Sequence, residues 1–245
     1  MLRDLDLLIP EPRWADAIAA LARVGYTLTR QSYQEAVLER DGGLVIIEVH
    51  KELFPSPRQA RLLRGFEVLN DSRQVAFGEV SLRLPSIDHQ VTHLIGHSQI
   101  GHSNYAYGRI ALCDRLEAAA LVHWGGDSVD WRAVYGRFAA AGYRRPLLAF
   151  LLSLRDGGLC TVPLPSGTDA LTALQQRRIA LQARSKTMGA IGLWAGRSVA
   201  KLKSQFTERD AGRPRAIKNI NRLIFEPGAA RQMVRTFVDQ APRRW

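Results

Sequence analysis

The chain opens on an apolar stretch interrupted at every second position. Arg3-Asp4-Leu5-Asp6-Leu7-Leu8-Ile9 reads as a strand with Asp4 and Asp6 on one side and Leu5 and Leu7 on the other. Pro10 and Pro12 punctuate, and Trp14, Ile18, Leu21 and Val24 then recur at helical spacing until Gly25 ends the segment. Residues 26–29 predict a short strand. Two β-rich runs, 36–40 and 44–50, flank Asp41-Gly42-Gly43, a hairpin turn. In the second run Ile46, Glu48 and His50 alternate with Val45, Ile47 and Val49, so Glu48 is a third strand carboxylate in an apolar setting. A loop around Pro55 and Pro57 leads to a helix over 58–69, and residues 75–84 read as a strand pair. From Pro85 the period becomes helical, over 86–100, 105–122, 129–141 and 145–155, with Asp127 or Ser128 capping the helix that contains Trp131. Gly157-Gly158 and the segment 163–167 form a linker. Thr168 then caps a long helix running toward Phe206, and a last helical pair falls at 216–225 and 229–239. The pattern predicts an α/β (α+β) protein: a small mixed sheet at 1–84, a helical domain at 85–165 and a basic helical region at 166–245.

Composition narrows this picture. The 245 residues support one large domain or two small ones, each with its own core. No apolar run approaches the roughly 18–20 residues of a membrane span, and the charged opening is no signal peptide, so the expected location is cytoplasmic. Cys113 and Cys160 are too few and too far apart for a disulfide framework or a cysteine-based zinc site, and are expected to be buried thiols. The net charge of +11 is unevenly placed: residues 170–245 carry 16 Lys and Arg against 4 Asp and Glu, a net of +12, while residues 1–169 carry 18 against 19, a net of −1. That basic block suits a nucleic acid, a polyphosphate or an anionic membrane surface, or is simply a solvated helix face.

The acids carry the chemistry. Asp4 and Asp6 stand roughly 6–7 Å apart along a strand and repel one another unless a cation lies between them. A third acid, Glu48, arrives on a later strand after a strand–helix–strand unit. Three carboxylates so placed match what metal-dependent phosphoryl transfer requires, with Mg²⁺ as the ion. The competing reading is a solvated edge strand with its acids outward. His50 shares a face with Glu48, where it orients a carboxylate, touches a phosphate or is a satisfied core histidine. Arg3, immediately before the pair, is a candidate to contact phosphate, or else a counter-ion for Asp4 or an exposed end. His89, His93 and His97 repeat every four residues on one helical face, followed by His102. Without an H-E-x-x-H arrangement or a cysteine partner they read as structural histidines that pack against the sheet and bond backbone carbonyls.

These features together bring a family into view. Arg3-x-Leu5-Asp6-Leu7-Leu8 with Asp4, a helix closing on Gly25-Tyr26, and Ile47-Glu48-Val49-His50 resemble the R-x-x-D-I-D-L-L, G-Y and V-D-L-H motifs of an uncharacterised bacterial nucleotidyltransferase-like family in the polymerase-β nucleotidyltransferase superfamily. Leu94-Ile95-Gly96-His97, His102, Leu112-Cys113-Asp114 and Asp130-Trp131 are similar to its L-x-x-H…H…D-L…D-W pattern. The resemblance spans residues 3–165, and more weakly 222–227. It implies that Asp4, Asp6 and Glu48 hold Mg²⁺, or Mn²⁺ in its place, with Glu48 standing where the family has aspartate. It further implies transfer of a nucleoside monophosphate from an NTP to an acceptor that is a small molecule, glycan, protein or nucleic acid. In this superfamily a Gly-Ser or Gly-Gly element before the D-x-D strand cradles the phosphates. Only three residues precede Asp4, so the expectation is either a chain truncated or mis-started at its N-terminus or an incomplete nucleotide site. The alternatives are an inactive binding protein of the same fold, or a polyanion binder acting through residues 170–245.

Overall fold

The computed structural model describes residues 4–164, 169–185 and 187–194. Strand β1 (Asp4–Leu8) is followed by helix α1 (Trp14–Arg23), and β2 (Thr27–Gln31), β3 (Glu35–Arg40) and β4 (Val45–His50) complete a sheet ordered β1-β4-β3-β2. β1 pairs with β4 in parallel and the other pairs are antiparallel. A parallel neighbour requires a crossover, which α1 and the β2–β3 hairpin supply. Asp41, Gly42 and Gly43 all take positive φ in the turn between β3 and β4, a path the two glycines make affordable.

One face of this sheet is apolar. Trp14, Ala17, Ile18 and Leu21 of α1 pack on Ala36, Leu38, Ile47 and Val49. The Trp14 indole N–H donates to the Val49 carbonyl at 3.0 Å, which fixes the helix against the central strand. Val24, expected on this apolar face, lies just past the helix end and is 61% exposed.

The remaining elements are α2 (Gly65–Asn70), a hairpin of β5 (Arg73–Phe77) and β6 (Val80–Leu84), then α3 (Ile87–Gly96), which runs on into a π-turn (His97–Gly101). They continue with α4 (Asn104–Tyr107), α5 (Leu112–Gly125), α6 (Trp131–Ala140), α7 (Arg144–Asp156) and α8 (Ala170–Arg184). Residues 146–154 of α7 are all buried, so this helix is the axis of the second core. Phe54, Leu62, Leu63, Ile95 and Phe138 gather on it, and Leu8 of β1 packs against the same cluster. The sheet face opposite α1 is thereby turned toward the helices.

Several boundaries differ from the sequence expectation. The helix expected over 58–69 is a 3₁₀ turn (Gln59–Arg61) and α2, because Leu62 and Leu63 between them are drawn into the core. The one expected over 105–122 breaks at Gly108, whose φ of 66° is left-handed and whose missing Cβ leaves room for the Gln182 and Arg178 side chains of α8. Asp130, rather than Asp127 or Ser128, caps α6 by accepting from the Ala133 N–H at 3.0 Å. α8 is capped by Asp169 and ends at Arg184, with helical residues again at 187–194. Thr168, the predicted helices at 216–225 and 229–239, and the rest of 195–245 lie outside the described residues. Cys113 is exposed and Cys160 half-buried, so neither is the fully buried thiol expected. No helix among the described residues is long and apolar enough to cross a membrane.

Candidate metal centre

Strand register builds the site. Asp6 lies opposite Glu48 in the parallel pair, while His50 lies opposite Glu35 and Glu48 opposite Val37 in the antiparallel one. Alternation then places Asp6, Glu48, His50 and Glu35 on the face away from α1. His50 Nε2 is 2.9 Å from Asp6 Oδ1 and 3.6 Å from Glu48 Oε2, and Nδ1 is 3.8 Å from Glu35 Oε2. A register shift between Leu28 and Arg30 in β2 sets Arg30, instead of Thr29, opposite Val37. A bulge of this kind re-aims a side chain. Arg30 consequently reaches Glu35 at 2.9 Å and Glu48 at 3.9 Å.

Three carboxylates around one imidazole and one guanidinium set the electrostatics. The hydrogen bond from His50 holds the Asp6 carboxyl below its ordinary range against the opposing effect of burial. Burial, followed by the charges of Glu35 and Asp6, pushes the Glu48 carboxyl up. For His50, burial is the largest single influence and pulls its pKa down. The bond to Asp6 and the charges of Asp6, Glu35 and Glu48 together outweigh it, and the net shift is upward.

Histidines from the helical side complete the surroundings. The His93 ring meets Phe54 edge-on at 6.0 Å and His97 at 5.4 Å, and His97 meets His102 at 4.2 Å. His97 and His102 share a hydrogen bond between their Nε2 atoms at 2.8 Å. Burial, with the neighbouring His97, brings the His93 pKa down to about 4, and burial with His102 lowers that of His97, while the Asp6 charge acts on both in the opposite sense. His89 leaves this row, and its Nε2 instead pairs with Arg137 at 2.8 Å. The expected bonding to backbone carbonyls gives way, for His97 and His102, to bonding between imidazoles.

Of the residues expected at the site, Asp6, Glu48 and His50 come together. Asp4 takes its place in β1 with its backbone opposite Ile46, its side chain outside the described part, and Arg3 lies outside the described residues altogether. Glu35 and Arg30 were not anticipated. Glu35 could have been found from the hairpin: pairing Arg40 with Val45 across the turn forces residue 35 opposite His50. The bulge that turns Arg30 inward has no comparable signature.

One ligand atom from each of Asp6, Glu48 and His50 falls within 4.8 Å of the others, the one such group of three among the described residues. Two carboxylates and an imidazole, with excess negative charge beside them, are a donor set that fits a divalent cation. No curated protein and no solved structure gives a significant match to the chain. A sequence-family model described as an uncharacterised nucleotidyltransferase matches residues 1–156, a span that includes the whole sheet, the acidic site and the histidine row. The chain belongs to this uncharacterised nucleotidyltransferase family.

Proposed function

We propose that the protein transfers a nucleoside monophosphate from an NTP to an acceptor hydroxyl or phosphate, using a divalent cation, Mg²⁺ or Mn²⁺. The observation that carries this is the pairing of Asp6 with Glu48 across parallel strands, with His50 closing the third side. Asp6 and Glu48 supply oxygen ligands, and Asp4, two positions earlier on β1, is assigned as a further one. When bound, the cation supplies neutralisation of phosphate charge and orientation of the attacking oxygen. Arg30 bridges Glu35 and Glu48 and limits where the Glu48 carboxylate points. His50 holds Asp6 from the other side, and Arg3 is assigned to the nucleotide phosphates. The basic last third, with its net +12, favours a polyanion among the partners. A cytoplasmic location, where NTP and Mg²⁺ are supplied, suits the reaction.

The test is release of pyrophosphate from each of the four NTPs with Mg²⁺ or Mn²⁺. Turnover is expected to vanish in Asp6→Ala, and turnover unchanged in that variant would sink the assignment. NTP binding without any turnover in the unaltered protein would point to a binding protein of the same fold.

A further inference from the structure

Nδ1 of His50 is buried and makes no hydrogen bond among the described residues, although Glu35 Oε2 stands 3.8 Å away. While Nε2 donates to Asp6, a neutral ring carries no hydrogen on Nδ1. Once Nε2 offers its lone pair to a cation the hydrogen moves to Nδ1, where a buried N–H without an acceptor would be unfavourable by about 1–3 kcal/mol and has reason to close that gap. Glu35 is well placed to receive it. The residue is 9% exposed, lies directly opposite His50 in the β3–β4 register, and is held by Arg30 on one oxygen and by the Gln34 amide at 2.8 Å on the other. Nε2, on the far side of the ring, faces Asp6 and Glu48.

We infer that Glu35 is a positioning residue for His50: it accepts the Nδ1–H, so that Nε2 turns its lone pair to a cation shared with Asp6 and Glu48. The inference rests on the metal-dependent reading of this site and deepens it. A carboxylate behind a metal-bound imidazole fixes both the tautomer and the ring orientation. A nitrogen donor also alters which ion the site suits. Mg²⁺ asks for oxygen ligands in a near-ideal octahedron, whereas Mn²⁺ accepts an imidazole among them. The Glu35–His50 pair therefore makes this a site that prefers Mn²⁺ to Mg²⁺.

The experiment titrates the full chain with Mn²⁺ alone, followed by electron paramagnetic resonance, then competes the bound ion with Mg²⁺. Pulsed spectra of bound Mn²⁺ report whether a nitrogen is coordinated. The unaltered protein is expected to show nitrogen coupling, and His50→Gln to lose it. Glu35→Ala is expected to weaken Mn²⁺ binding about 10–100-fold, the range typical of residues behind a metal ligand, with a smaller effect on Mg²⁺. Glu35→Gln keeps an oxygen able to accept from Nδ1–H and should restore most of the affinity. Bound Mn²⁺ without nitrogen coupling overturns the inference and needs no variant to do so. Mn²⁺ affinity in Glu35→Ala equal to that of the unaltered protein overturns it as well. Absence of any Mn²⁺ or Mg²⁺ binding would instead remove the metal-dependent transfer reading on which it stands.

Discussion

Glu48 sits where its own charge is unwelcome, half-buried beside Asp6 and Glu35. Its carboxyl is held above the ordinary value of 4.5, first by burial and then by those two acids. Below the ordinary value it is protonated in folded and unfolded chains alike and nothing is lost. As pH rises above the ordinary value the unfolded chain ionises first and the folded one later, in a poor environment, so the penalty grows from there as pH rises. Glu48→Gln should therefore raise the stability of the metal-free protein at pH 7 by between about 0.5 and 2 kcal/mol, with no gain near pH 4 and with metal binding lost. Urea unfolding at the two pH values checks this, and an equal gain at both would refute it. Asp6, Glu48 and His50 were legible because strand alternation needs only the sequence. Glu35 was open to the same reasoning through the β3–β4 register, whereas Arg30 was not, because a bulge turns it inward.

The element that shapes the helical side of the site is α3 with its π-turn. Successive residues of an α-helix turn by about 100°, so residues five apart diverge by roughly 140°. The π-turn bonds the His102 N–H to the His97 carbonyl and brings those two imidazoles face to edge instead. The four-residue spacing of the histidines was readable in advance, but the turn that recruits His102 and the Arg137 contact that draws His89 away were not, since both depend on packing. Gly96 lies between His93 and His97, where a Cβ would stand 2.5 Å from Leu62 Cδ2 and 2.8 Å from Phe54 Cζ. Both neighbours are fully buried and have nowhere to move. Alanine gains up to about 1 kcal/mol of helix propensity over glycine, but overpacking of this kind typically costs about 1–3 kcal/mol. Gly96→Ala should be net destabilising by about 1–2 kcal/mol, read as a lower urea midpoint, and a raised midpoint would mean that α3 shifts freely against Phe54.

At the scale of the whole molecule, charge is divided between a near-neutral first part and a basic last third, a division plain from the sequence. α8 is docked through Gln175 to the Tyr105 carbonyl and Gln176 to the Ala149 carbonyl, so its basic residues share the helix with structural contacts. Of the 16 basic residues after position 169, 12 lie in 195–245. Binding to single-stranded RNA or polyphosphate should weaken linearly with the logarithm of salt concentration and be lost on deleting 195–245, while Mn²⁺ binding persists. Filter binding across a salt series measures it, and a full-length chain with no polyanion affinity would leave the block as solvated surface. The parallel pairing of β1 with β4 bears on a different property, time. Asp6 and Glu48 are 42 positions apart and face one another only after β1 has added to a β2–β3–β4 meander that needs no long-range closure. On the metal-dependent reading proposed above, a cation that requires both strands would engage late in assembly. Stopped-flow measurements should find that it slows unfolding and leaves the folding rate unchanged, lengthening the life of the native state without hastening its arrival.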